Sequence, residues 1–285
     1  MPTLEPPNVR LRLTNQPENV SLIRTTLTGV AEAIDLPPAA LDDITTAVTE
    51  AANNVVLHAY QGGHGPLEAD IHIAEGLITV VVRDEGVGLH HALDYGLQAG
   101  ETGEQHLELG LGVIQALAVS VEFDQRSGGG TEVRMEFANP SETLLLGANA
   151  HGELELPLCE GSELTAATIA ITPARLARAV LPRLVCALAA RASFSTDRLS
   201  DAQLLADLIA AQAFQSITGS HLGVGIAVGP RLLELRVGPL PSGQAGTAAS
   251  VLGELAPVLG SLSDDHSFEE AGRTAVLALQ LLDQR

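Results

Sequence analysis

Three short stretches of this sequence carry residue types suited to chemistry. In Glu50-Ala51-Ala52-Asn53-Asn54, continuing to His58, positions i, i+4 and i+8 share one helical face. Glu50, Asn54 and His58 therefore form a polar stripe on a helix otherwise rich in Ala and Val. An Asn side-chain oxygen can bind Mg²⁺, and a Glu beside it can accept a proton or orient an attacking hydroxyl. The same stripe would also serve as the exposed face of an amphipathic helix. The second stretch, Arg83-Asp84-Glu85-Gly86-Val87-Gly88, follows an apolar strand. An Asp at a strand end can accept a hydrogen bond from an adenine amino group, and glycines let the backbone turn and approach a ligand without a Cβ. Asp-x-Gly-x-Gly is equally a plain turn. The third, Gly110-Leu111-Gly112, stands at the start of a predicted helix. Free N–H groups and the helix dipole there suit a triphosphate, although an ordinary helix start reads the same way.

The elements that must position these residues follow from apolar periodicity. A short strand over residues 11–13 leads through Asn15-Gln16-Pro17-Glu18 into a helix over 20–34, and Pro37-Pro38 separates it from a second helix over 39–59. Strands over 67–73 and 77–82 turn at Glu75-Gly76. A helix over 113–118 and two strands, 119–125 and 131–137, close the first half around Ser127-Gly128-Gly129-Gly130. This order predicts an α+β fold, a two-layer sandwich with helices covering one face of a mixed sheet.

Composition limits what the chain can be. At 285 residues it is long for one domain, and the Pro, Gly and Ser content after residue 139 places a boundary there. We expect one domain over 1–140, a linker over 141–164 and a second domain over 165–285. With five Phe, two Tyr and no Trp, the cores must be aliphatic. No apolar run reaches membrane-spanning length and no leader stands at the start, so a cytoplasmic protein with no membrane partner is expected. Cys159 and Cys186 lack metal-ligand spacing and read as buried thiols. His64, His72, His90, His91 and His106 have no ligand spacing either. All fifteen basic residues are Arg, and the formal charge is −20. Residues 1–150 hold 21 acids against 6 Arg (−15), and residues 151–285 hold 14 against 9 (−5). Such a field repels phosphates, excluding a direct nucleic-acid binder, and favours a basic protein partner as readily as simple solubility.

In this order and spacing the three stretches resemble the ATP site of the GHKL-type ATPases, the group of histidine kinases, gyrase and Hsp90. Within that group the chain is most similar to the anti-sigma-factor serine kinases of partner-switching systems. The likeness rests on Gln16-Pro17-Glu18-Asn19-Val20, Ile23-Arg24, Leu27-Thr28-Gly29-Val30-Ala31 and the run from Ala47 through Glu50, Asn54 and His58 to Tyr60. It spans roughly residues 10–137. It implies ATP and Mg²⁺ as cofactors, Glu50 as base or water-orienting carboxylate, and Asn54 as the Mg²⁺ ligand. It further implies Asp84 on the adenine amino group, Gly86 and Gly88 in the pocket wall, residues 89–109 as a lid, Gly110 and Gly112 around the phosphates, and Thr131 near the adenine. The implied partners are a sigma factor and a STAS-domain anti-anti-sigma protein, with a homodimer or an internal pseudo-dimer. Residues 84–125 hold no Lys or Arg, which favours as an alternative a non-catalytic ATP-binding interaction module.

The second half is expected to be a degenerate copy of the first. Residues 42–52 can be laid over 201–211, and residues 77–83 over 232–236. Glu50 then falls on Ile209, Asn54 on Ala213, Asp84 on Val237, and Gly86 and Gly88 on Pro239 and Pro241. No acid would remain there to bind Mg²⁺ or adenine.

Overall fold

Proline at the first helical position costs no hydrogen bond, and it opens both helices of the first half, α1 (Pro17–Ala33) and α2 (Pro38–Asn54). The computed structural model describes residues 5–88, 101–126, 128–141, 165–216, 221–241, 257–271 and 274–284. The chain divides into two units, Arg10–Leu145 and Met1–Val9 with Leu146–Arg285.

In the first unit β1 (Val9–Thr14) leads into α1, and α2 continues as a π-helical turn, Val55–Ala59. Then come β2 (Pro66–Ala74), β3 (Gly76–Asp84), α3 (Glu101–Leu117), β4 (Ser120–Gln125) and β5 (Thr131–Asn139). The strands lie in the order β4-β5-β3-β2-β1. β3 is antiparallel to both neighbours, with Val80 opposite Ile71 and Met135, and Val82 opposite Ala69 and Val133. Strand side chains alternate between faces, so Ile78, Val80 and Val82 of β3 point one way and are buried with Leu67, Ile71, Met135 and Phe137. Leu22, Ile23, Leu27 and Val30 of α1 and Ile44, Ala47, Val48 and Ala51 of α2 supply the other layer of buried side chains. Asp84 is the next residue in that alternation. The strand pleat therefore sends its carboxylate inward, 3% exposed.

The opposite sheet face is charged. Asp70 receives Arg10 Nε at 2.8 Å and Arg83 Nη1 at 2.6 Å, and Arg83 Nε reaches Glu132 at 2.6 Å. Burial would raise the Asp70 carboxyl, but hydrogen bonds and charge from Arg10 and Arg83 outweigh it and hold the group below the usual carboxylate range.

The second unit runs β6 (Thr165–Ile171), a 3₁₀ turn (Ala174–Leu176), α4 (Ala177–Arg191), α5 (Thr196–Ser216), β7 (Leu222–Gly229), β8 (Leu232–Pro241), β9 (Asp265–Ala271) and β10 (Thr274–Leu282). Its strands lie in the order β9-β10-β8-β7-β6. Strand by strand, this repeats the first unit: strand, two helices, hairpin, hairpin, with the same neighbours. Residues 257–262 are helical just before β9, where α3 stands before β4.

Three expectations need correction. The second helix does not stay α-helical to residue 59, because the backbone widens into the π turn directly after Asn54. The helix expected at residues 113–118 starts at Glu101, so Gly110 and Gly112 lie within α3 and not at its start. Glycine costs a helix interior only about 1 kcal/mol, which neighbouring Leu, Glu and Gln offset. Cys186 is half-buried, not fully buried, and Cys159 lies outside the described residues.

Removing the Asp70 carboxylate would leave two guanidinium groups, one of them 16% exposed, without their shared acceptor. Asp70→Ala is expected to cost about 3 kcal/mol in urea unfolding at neutral pH. Because the folded pKa is depressed, the wild-type contribution is present above the unfolded pKa and is lost as pH falls through the folded one. The difference between wild type and variant should therefore shrink in acid.

Candidate functional site

The site is assembled where the end of α2 meets the end of β3. Ala51, Asn54, Val55, His58 and Ala59 from the helix and its π turn face Val82, Asp84 and Gly88 from β3 and the loop after it. Leu111 of α3, Phe123 of β4 and Thr131 and Val133 of β5 complete a cavity of about 40 Å³. The polar stripe predicted from sequence thus arrives at a real concavity at Asn54 and His58. Glu50, one turn earlier, lies beside it under α3: a Cβ added at Gly110 would stand 3.2 Å from Glu50 Oε2 and 3.7 Å from Asn54 Oδ1.

Asp84 is held from two sides. Its Oδ1 accepts the Gly86 N–H at 2.8 Å, and the Thr131 backbone and hydroxyl also donate to the carboxylate. A carboxylate offers about four lone-pair sites, so capacity remains for a donor in the cavity. Burial raises this carboxyl above the usual range, against hydrogen bonds from Gly86 and Thr131 that pull it down.

The glycines of the loop are there for close approach. A Cβ on Gly86 would run into the carbonyl of Ala59, and one on Gly130 into the carbonyl of Asp84. Gly88 and Gly130 also have φ of +84° and +88°, the left-handed region that side chains avoid. The Val87 N–H closes the same junction by donating to the Ala59 carbonyl at 2.9 Å. Gly112, by contrast, is exposed with nothing within 4 Å of an added Cβ.

Sequence reasoning missed several members of this site. Phe123, Val133 and Leu111 give it apolar walls, and only their position in three dimensions selects them. Arg126, one residue beyond the Arg-free stretch, donates to the Asp84 carbonyl at 3.2 Å. Of the lid expected over 89–109, residues 89–100 lie outside the described residues, and 101–109 belong to α3.

No group of three or more His, Cys, Asp or Glu that could cage a metal occurs among the described residues. That is compatible with Mg²⁺, which keeps several waters and is commonly bound through one or two side chains plus substrate phosphates. Asn54, facing the cavity beside Glu50, fits that limited demand.

Comparison with known proteins decides the family. The model for the histidine kinase-like ATPase domain matches residues 13–137. An anti-sigma F factor from Caldanaerobacter subterraneus subsp. tengcongensis is 31% identical over 130 residues, covering 45% of this chain and 90% of that protein. The chain belongs to the histidine kinase-like ATPase family. Two further anti-sigma F factors, from Clostridium acetobutylicum (26% identical over 131 residues, 45% of this chain and 91% of the relative) and Thermoanaerobacter sp. (30% over 130 residues, 45% and 90%), match the same share. The resemblance read from residues 10–137 is the one these comparisons return, and the mixed α+β fold is the one expected.

The second unit of this ATPase-family chain has apolar side chains where the sequence alignment put its site. Ile209 of α5 is 7% exposed and Val237 of β8 is 2% exposed. No helix of the described residues is long and apolar enough to cross a membrane.

Two measurements test this geometry. Gly86→Ala should cost about 1–3 kcal/mol, because backbone must shift, whereas Gly112→Ala should stabilise α3 by up to about 1 kcal/mol. Thermal unfolding of both variants decides it. For Asp84, the folded state takes up a proton before the unfolded state as pH falls, because its pKa is raised. Ligand affinity that relies on the ionised carboxylate should therefore begin to drop above the range of an ordinary Asp, seen by calorimetric titration from neutral pH downward.

Proposed function

We propose that this chain is an ATP-binding anti-sigma regulator that acts as a protein serine/threonine kinase of a partner-switching system. It phosphorylates a STAS-domain anti-anti-sigma protein and sequesters a sigma factor. One observation carries the reading: Asn54, Asp84 and Thr131, from three separate elements, line one cavity, with Glu50 a turn away from Asn54. A fold-only ATPase relic would have no need to keep all four.

In this reading Asp84 accepts the adenine amino group through its remaining acceptor capacity, and Val82, Phe123 and Val133 flank the base. Gly86 and Gly88 shape the wall, and Gly110 and Gly112 approach the phosphates once α3 leaves α2. Bound Mg²⁺, held by Asn54, would neutralise charge on the phosphates. The Ser or Thr hydroxyl of the antagonist attacks the γ-phosphorus, the bond to the β–γ bridging oxygen breaks, and ADP leaves. Glu50 orients that hydroxyl and takes its proton. The scarcity of cations around the site leaves backbone N–H groups and the metal to stabilise the transferring group.

The second unit is proposed to be a copy of the same fold that has lost the site. Its matching strand order supports a duplication, and apolar Ile209 and Val237 support the loss. Such a copy could stand in for the second subunit of a dimer or present a docking surface.

The test is Mg²⁺-dependent ATP binding followed by transfer of labelled phosphate to STAS proteins. Asn54→Ala and Asp84→Ala should each abolish binding. Glu50→Ala should keep binding and lower kcat by about 10²–10⁴. Binding without any transfer by wild type would favour the non-catalytic interaction module, which the absence of Arg from residues 84–125 also favours.

A further inference from the structure

The phenol of Tyr60 sits between the loop after Asp84 and the start of β2. Its oxygen accepts the N–H of Glu85, the residue after Asp84, at 2.9 Å. Its hydroxyl proton goes to the carbonyl of Pro66, the first residue of β2, at 2.5 Å. Tyr60 itself caps the π turn that follows Asn54. One side chain at the end of the turn that follows Asn54 therefore ties the loop after Asp84 to the start of β2.

The ring has a fixed seat. A Cβ on Gly65 would overlap the Tyr60 ring, so the aromatic face rests directly on the Gly65 backbone. Gly65 is tied down in turn: its N–H donates to Asn15 Oδ1 at 2.9 Å, and its carbonyl accepts the Asn15 N–H at 2.9 Å. Asn15 Nδ2 also reaches the Gly63 carbonyl at 3.0 Å. With the ring so seated, the phenol oxygen has little freedom, and the Glu85 amide is positioned by it. Burial raises the phenol to about 12, with the neighbouring Asp84 and Glu85 charges adding to the shift. The hydroxyl therefore keeps its proton throughout the working pH range and can donate and accept at once.

We propose that Tyr60 is a positioning residue for nucleotide recognition: through the Glu85 amide it sets where the Asp84 carboxylate stands relative to Asn54, and so governs discrimination for the base. This rests on the reading of the cavity as an ATP site. Tyr60 touches neither base nor phosphate in that arrangement. It acts on the lone pair of Asp84 that meets the purine amino group, and it leaves Glu50 and Asn54, on the preceding turns of α2, in place.

The probe is a pair of nucleotides that differ at that position. ATP presents an amino donor at purine C6; inosine triphosphate presents a carbonyl acceptor there, its nearest donor being the neighbouring ring N1–H. Wild type should prefer ATP. Tyr60→Phe keeps the ring on Gly65 and removes only the hydroxyl. It should narrow the ATP-to-inosine-triphosphate affinity ratio by about two- to tenfold, the size of one lost hydrogen bond, through weaker ATP binding alone. Transfer at saturating ATP should stay within about twofold of wild type, so the change falls in KM and not kcat, and exchange of the Glu85 amide with solvent should accelerate. Gly65→Ala, which displaces the ring from the other side, should narrow the same ratio and covers the case in which the first variant does not fold. A merely structural role would lower the melting temperature and weaken both nucleotides equally; that result, or an unchanged ratio in both variants, overturns the proposal. Failure of wild type to bind ATP at all shows before any variant is made, and it removes the ATP-site reading together with this inference.

Discussion

The inward turn of one carboxylate governs the first unit. Asp84 continues the pleat of Ile78, Val80 and Val82, so strand geometry alone drives a charged group into an aliphatic layer. Such a group is tolerable only with donors around it, and the surrounding chain is arranged to supply them. Gly86 bends back to donate from the same loop, and Thr131 does so from the next strand. Gly130 has no side chain because the Asp84 carbonyl lies where a Cβ would be. The π turn after Asn54 brings the Ala59 carbonyl to the Val87 amide. A widened helical turn at a site of this kind is a common device, since it re-aims a few residues without ending the helix.

Asp70 solves the same problem on the other face in the opposite way. There a buried carboxylate is met by two guanidinium groups and held ionised, as befits a structural anchor between β2 and its neighbours. Among the described residues no guanidinium bonds the Asp84 carboxylate; Arg126 reaches only the backbone carbonyl. Two acids of the same type, on neighbouring strands, are thus pushed in opposite directions by their surroundings. The one left short of positive charge is the one that faces the cavity.

Much of this is legible in the sequence, for identifiable reasons. Glu50, Asn54 and His58 stand out because helical spacing places them together whatever the tertiary fold, and Asp84 because it ends an apolar strand just before two closely spaced glycines. The strand pairing and the two-helix cover follow from apolar periodicity, and the repeat of strand order in the second half follows the faint alignment of residues 201–211 with 42–52. What stays hidden depends on contacts between distant segments. Phe123 and Val133 read as ordinary strand residues, and Gly130 reads as part of a turn, although its backbone supports Asp84. The length of α3 escapes a sequence reading because Gly110 and Gly112 look like a helix start, yet the residues before them favour a helix enough to carry it through. Tyr60 is visible only as part of a family pattern; its bonds to Glu85 and Pro66 need coordinates.

The small size of the cavity bears on how a nucleotide could enter it. Nucleotide-sized sites usually enclose several hundred Å³, and the space between Asn54 and Asp84 is about 40 Å³, with α3 resting on Glu50 at Gly110. On the proposed reading, a triphosphate fits only where α3 has come away from α2, and apparent affinity is then the intrinsic affinity scaled by the fraction of molecules so opened. Any protein that associates with the opened arrangement alone would raise affinity for the nucleotide by enlarging that fraction. Thermodynamic reciprocity then obliges the nucleotide to strengthen that association by the same factor. On that reading helix α3 is a shared lever, through which occupancy of the nucleotide site bears on the choice of partner.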